Sequence, residues 1–197
     1  GIGHGIYLSK DSGSTWDDMG LNKSEHISKI IVHPDNSNII WVASQGPLWN
    51  SGGDRGLFMS TDGGNTWSNK LYVNEWTGVT DIIIDPTNPD ILYAATWQRH
   101  RNVASLIDGG PGTSIYKSID GGNTWNEIDS GLPSSNMGKI GLAISPMKPE
   151  VIYAAIELDR RYGAVFRSDN SGGVWKKMSN TVAGATGPHY YQELYAS

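Results

Sequence analysis

Asp54, Glu75, Asp108 and Asp159 are the carboxylates whose surroundings offer chemistry. They lie in, or beside, segments crowded with arginine or tryptophan: QGPLWNSGGDRG at 45–56, NEW at 74–76, WQRHRNVASLIDGGPGTS at 97–114 and LDRRYG at 158–163. Glycoside hydrolysis needs two carboxylates about 5 to 9.5 Å apart, the distance depending on mechanism. Sequence spacing does not say which two would meet. Five of the six arginines, Arg55, Arg99, Arg101, Arg160 and Arg161, fall in these segments, and their guanidinium forks suit anions. Exposed ion pairs with Asp54, Asp108 and Asp159 are the plain alternative. Trp49, Trp76, Trp97 and Tyr190 offer ring faces for a sugar or a peptide side chain, or else they pack beneath long loops.

Other chemistries find little support. His4, His26, His33, His100 and His189 show no metal-ligand spacing, and no metal or cofactor is expected. The stretch GGPG at 109–112 follows no strand and opens no helix, so it reads as a flexible loop tip and not a phosphate cradle. Cysteine is absent, which rules out disulfides and thiolate sites. A net charge of −5 argues against a nucleic-acid partner. No run reaches the roughly 18 apolar residues of a membrane helix. The first residues, GIGHGIYLSK, lack the pattern of a signal peptide and resemble an entry in mid-repeat.

The segments that hold these residues are spaced by a repeat. STDGGNTW at 60–67 recurs as SKDSGSTW (9–16), SIDGGNTW (118–125) and SDNSGGVW (168–175). The third residue of each, Asp11, Asp62, Asp120 or Asn170, can accept backbone N–H groups just ahead of it, and the fifth, a glycine, tolerates positive φ. This is turn chemistry. It also brings to mind a calcium loop, but the further ligands and distal glutamate are missing. The closing Trp16, Trp67, Trp125 and Trp175 are expected to start a returning strand and pack the unit. Between boxes the chain repeats apolar runs bounded by Pro, Gly and Asn, with no convincing helical period. Such a repeat implies an array of small units.

Four strands per repeat, labelled A to D from the axis outward, predict the blades of a β-propeller. Units are expected at 26–73, 79–129 and 139–179, with a partial unit at 1–20 and a first strand of another at 190–197, all forming one arc over 1–197. An arc leaves two blade faces bare, so it is expected to need further blades or an oligomeric partner. The A–B and C–D connections share one end of such a blade. The B–C and D–A connections, which carry the candidate residues above, share the other.

The pattern S-x-D-x-G-x-x-W resembles the Asp-box, or BNR, repeat. With IIVHPDNSNIIWVAS, DIIIDPTNPDILYAATWQR and GLAISPMKPEVIYAAIE, the chain resembles bacterial sortilin-like BNR-repeat proteins. That resemblance implies an exported protein, extracellular or in the cell envelope, in which the box residues are structural. It implies non-catalytic binding of protein or glycan through the B–C and D–A loops, by Trp49, Arg55, Trp76, Trp97, Arg99, Arg101, Arg160 and Tyr190. The alternative is a glycoside hydrolase, xyloglucanase-like or sialidase-like, using the loop carboxylates. The Arg-Ile-Pro phrase of sialidases is absent, although Arg55, Arg99 and Arg160 lie on successive units. A third class resembles propeller assembly factors that hold a protein partner.

Overall fold

In the computed structural model, residues 3–159, 162–182 and 194–196 are described. They form an all-β chain. The strands in order are β1 (Tyr7–Leu8), β2 (Asp17–Asp18), β3 (Ile27–His33), β4 (Asn36–Ser44), β5 (Gly56–Ser60), β6 (Ser68–Leu71), β7 (Thr77–Ile84) and β8 (Leu92–Gln98). They continue as β9 (His100–Arg101), β10 (Leu106–Ile107), β11 (Ile115–Ser118), β12 (Asn126–Glu127), β13 (Ile140–Ile144), β14 (Ile152–Asp159), β15 (Tyr162–Ser168) and β16 (Lys176–Val182).

Three four-stranded antiparallel sheets result, ordered β3-β4-β5-β6, β7-β8-β11-β12 and β13-β14-β15-β16. The hairpin β1-β2 supplies the C and D strands of a unit before them. These are propeller blades, and the A strands β3, β7 and β13 lie side by side. Of the predicted 190–197 strand only 194–196 are described, and they are not in strand conformation. Two details depart from expectation. Asn36 and Asn38, expected to bound the apolar run that follows them, lie inside β4, so the first A–B turn is only Pro34 and Asp35. The long 97–114 connection contains a hairpin of its own, β9-β10.

The C strand β5 and the B strand β8 are almost wholly buried because they carry apolar residues on both faces and lie between sheets. Trp41, Leu57, Ile82 and Leu92 form the core between the first two complete blades. Tyr93, Ile115, Ile140, Ile156 and Trp175 form that between the second and third.

Polar groups stitch the A strands together. Ser28 and Thr80 are the extra residues of β-bulges, which free their hydroxyls to face inward. Ser28 Oγ donates to the Ala43 and Val79 carbonyls, and Thr80 Oγ1 to those of Ala95 and Ile140. Each hydroxyl therefore ties its own blade to the next. Asp81 goes further: Oδ1 takes Lys29 Nζ at 2.7 Å and Oδ2 takes the Leu142 N–H at 2.8 Å. One carboxylate thus joins three blades.

Each box folds the same way. Ser60 Oγ donates to Asp62 Oδ1 at 2.8 Å and accepts the Gly64 N–H at 2.8 Å. Asp62 then accepts the Thr66 N–H at 2.9 Å and the Thr66 hydroxyl at 2.7 Å. Asp11 and Asp120 repeat these bonds with Thr15 and Thr124. The threonine bonds hold all three carboxyls down at about 2. In the last box Asn170 accepts the Val174 N–H at 2.9 Å. Its valine has no hydroxyl to offer, so the second carboxylate oxygen has lost its task. Trp67 Nε1 reaches back to the Met19 carbonyl of the preceding unit, and Trp175 Nε1 to that of Ile128. Trp16 departs from the packing expected of it and is 61% exposed.

Candidate functional site

The B–C and D–A connections gather at the end opposite the boxes, and there the candidate residues divide into three groups. The first is built around Arg55, only 2% exposed. Its guanidinium donates to the carbonyls of Gly52, Gln45, Trp76, Pro47 and Asn50. Gly46 carries φ +73, and a Cβ there would strike the Arg55 side chain at 2.8 Å. Burial and Arg99 pull the guanidinium down to about 10, so it remains charged at neutral pH. Arg55 is thus a strut for its loop, and the exposed anion or ligand contact expected of it is corrected. Asp54 is similarly engaged, accepting the Lys23 N–H at 2.8 Å. Glu75 is exposed, and its carbonyl accepts the Gly52 N–H.

The second group is a cation and ring array. The Arg99 guanidinium lies 4.9 Å from the Trp97 ring and donates to Gln45 Oε1 at 2.8 Å. Trp97 itself is buried, which removes its face from any ligand. Trp76 meets His100 edge-on at 4.1 Å. The β9-β10 hairpin leans on the neighbouring blade through the Arg101 N–H to the Leu48 carbonyl, at 3.0 Å. That places Arg101 5.2 Å from the ring of Trp49, which is 50% exposed. Trp49 is therefore the aromatic platform of this end. Arg160 and Tyr190 lie outside the described residues. With Arg55 buried and Arg99 on Trp97, Arg55 and Arg99 do not form the anion clamp of a sialidase.

The third group was not anticipated. Glu157 ends the apolar run of β14, is only 5% exposed, and accepts the Lys139 N–H at 3.3 Å. Burial, with Asp108 and Asp159 adding to it, pushes the carboxyl up to about 7. Gly138 makes room for it, since a Cβ there would meet Glu157 Oε2 at 2.5 Å. Gly110 is buried and bridges to Met137, so GGPG is a packed link between blades and not a loose tip. Two carboxylates singled out from sequence, Asp108 and Asp159, thus flank one that was overlooked. The missed signal is an acid at the register held by Gln45 and Trp97 in the two preceding blades.

A cavity of about 360 Å³ also opens at this end, lined by Ser24, Glu25, His26 and Gln45. Ser24 Oγ and Glu25 Oε2 are buried there without hydrogen-bond partners. Burial lowers the His26 pKa, and its Nδ1 lies 3.3 Å from the Gly46 carbonyl. Among the described residues no cluster of His, Asp and Glu could hold a metal ion.

Solved structures share this arrangement of blades. The GH74 xyloglucanase from Xanthomonas campestris matches with a TM-score of 0.63 at 16% identity, over 89% of this chain and 27% of that one. The GH74 enzyme of Niastella koreensis gives 0.65 at 18%, over 88% and 26%. An ancestral GH74 enzyme gives 0.64 at 21%, over 89% and 21%. The fold is that of a β-propeller. Among curated proteins, a xyloglucanase of Hypocrea jecorina is 28% identical over 88% of this chain and 23% of its own length. A xyloglucanase of a Paenibacillus species is 22% identical over 96% and 21%. The chain spans about a fifth of the length of these two relatives. No family model matches it. The likeness is to glycoside hydrolase propellers, and the sortilin-like label gains no support from it.

Proposed function

We propose that this chain forms part of the propeller of a glycoside hydrolase acting on a xyloglucan-type polysaccharide, with Glu157 as the proton donor. The observation that carries the reading is the Glu157 carboxyl, held at about 7 at the loop end of its blade. A general acid for glycoside cleavage must keep its proton near neutral pH, and burial beside other carboxylates achieves this. Asp108 and Asp159 provide the like charge, which makes them the candidates for its partner. Trp49 adds an exposed ring on which a pyranose can stack. The xyloglucanase relatives favour this over the binding-only reading, and they favour export weakly.

The test is release of reducing ends from soluble xyloglucan. Glu157→Gln keeps the shape and the Lys139 bond but cannot give up a proton. Turnover should fall by roughly a thousandfold while polysaccharide binding persists. Undiminished turnover in that variant would overturn the assignment of Glu157. Binding without turnover in the parent protein would restore the non-catalytic reading.

A further inference from the structure

The long connection between β8 and β11 is fastened at its root and to the blade on either side, and Asp108 lies within the fastened part. At the root the Gln98 side chain closes the loop: Oε1 accepts the Gly112 N–H at 2.9 Å, and the Gln98 N–H donates to Thr113 Oγ1 at 3.0 Å. Ahead of Asp108 the hairpin β9-β10 is tied to the preceding blade at the Leu48 carbonyl. Just after Asp108 the Gly110 N–H donates to the Met137 carbonyl of the following blade, at 3.3 Å. The carboxylate is thus held from both sides.

The contact with the following blade is made by backbone alone. A Cβ on Gly109 would lie 2.6 Å from the Met137 carbonyl oxygen and 3.3 Å from the Gly138 Cα. Gly138 in turn rests on the Glu157 carboxyl, so main chain is layered on main chain above the acid. A Cβ on Gly110 would meet the Gln98 amide group at 2.6 Å. The clip at the root and the bridge to Met137 therefore press on one residue. Glu157 is seated from below by its own backbone: its N–H donates to the Lys139 carbonyl at 3.1 Å, and its carbonyl accepts the Gly138 N–H at 2.9 Å.

This packing contributes to both causes that raise the Glu157 carboxyl. The layer of 109–110 on 137–138 adds to its burial, and Asp108, directly before that layer, brings a like charge. Asp159 adds charge from the same strand β14, while Lys139 opposes the rise through its N–H and its ammonium.

We propose that residues 108–110 form a positioning roof for Glu157, held in place by Gln98, Gly109 and Gly110. Seated on Met137 and Gly138, the roof keeps water off the acid and delivers Asp108 to it. These residues act through Glu157 and not on the sugar. The catalytic consequence rests on the reading of Glu157 as proton donor, whereas the roof itself is measured on the carboxyl.

NMR of isotope-labelled glutamate carboxyls follows Glu157, whose signal is the one missing from Glu157→Gln. In the parent it should titrate at about 7. Gly109→Ala forces the link off the Met137 carbonyl and should lower the midpoint by at least about one unit. Gln98→Met keeps the bulk of the clip without its acceptor and should lower it by less. Asp108→Asn removes only the charge and should lower it by about half a unit, with little further effect once Gly109→Ala is present. Tyr93→Phe cuts the bond to Ser171 between the same two blades and should leave the midpoint in place. On soluble xyloglucan the alkaline limb of turnover should move with the midpoint, by about tenfold in rate per unit on that side. Circular dichroism identifies the variants that fold. A midpoint that stays at about 7 in the folded variants of Gln98 and Gly109, or that falls as far in Tyr93→Phe, would overturn the roof whatever the activity. Lowered midpoints with a turnover profile that ignores them would uphold the roof and refute Glu157 as the proton donor.

Discussion

The two ends of the propeller are built on opposite plans. At the box end, eight consecutive residues satisfy one another: serine, aspartate and threonine close a turn whose bonds span at most four residues. At the loop end the bonds run between connections. Arg55 gathers five carbonyls from its own loop and the next connection, and Glu157 is set by groups from two blades. A local device can be copied unchanged from blade to blade. A device assembled from several loops differs each time, and that freedom is what a binding or catalytic surface needs.

The largest expected effect separates two copies of one residue. Trp175→Ala should lower unfolding free energy by about 4 kcal/mol, because a fully buried indole is lost. Trp16→Ala should change it by less than about 0.5 kcal/mol, since that ring is mostly exposed. Urea unfolding of both variants checks this, and equal losses would remove the distinction between covered and open boxes. At the loop end, Arg55→Ala should cost about 3 kcal/mol, since several buried carbonyls lose a charged donor together. Arg55→Lys should recover only part of that, because an ammonium lacks the planar fork.

The ends should also answer pH in opposite senses. Glu157 has a raised carboxyl, so its ionisation is penalised in the folded chain. Stability should fall as pH rises from the ordinary carboxylate value near 4.5 to about 7. The loss is on the order of 3 kcal/mol, and Glu157→Gln should abolish that slope. The box aspartates are depressed, so their contribution is present above the usual carboxylate range and disappears as pH falls toward about 2. Unfolding curves across pH for the parent and for Glu157→Gln separate the two limbs. The smallest effect is within a box. Asp62→Asn alone should lower stability only slightly, and Thr66→Val in the same chain should cost less than it does alone, as the pairing of Asn170 with Val174 predicts. Strict additivity would break that comparison.

The same division decides what can be read in the sequence. The box and its strands were legible because their causes lie within a few residues: Ser60, Asp62, Gly64 and Thr66 announce their own turn. The blade architecture followed from their repetition. Arg55 looked like a surface cation because its acceptors are backbone carbonyls, which every residue possesses and no sequence distinguishes. Glu157 was hidden in an apolar run, and its raised carboxyl comes first from burial between blades and then from Asp108, which is distant in the chain. Trp97 and Trp49 both sit at the start of long connections in the sequence, yet only the structure shows Trp97 sealed at the end of β8 and Trp49 open in its loop.

The Asp81 carboxylate gives the axis a mechanical character. Because it holds Lys29 of the blade before and the Leu142 amide of the blade after, the three inner strands turn as one spindle. Their angular spacing is fixed at the hub. Any breathing of the molecule is therefore pushed outward, to the D strands and the loop rim, and the distance between groups mounted near the hub stays constant while the periphery moves.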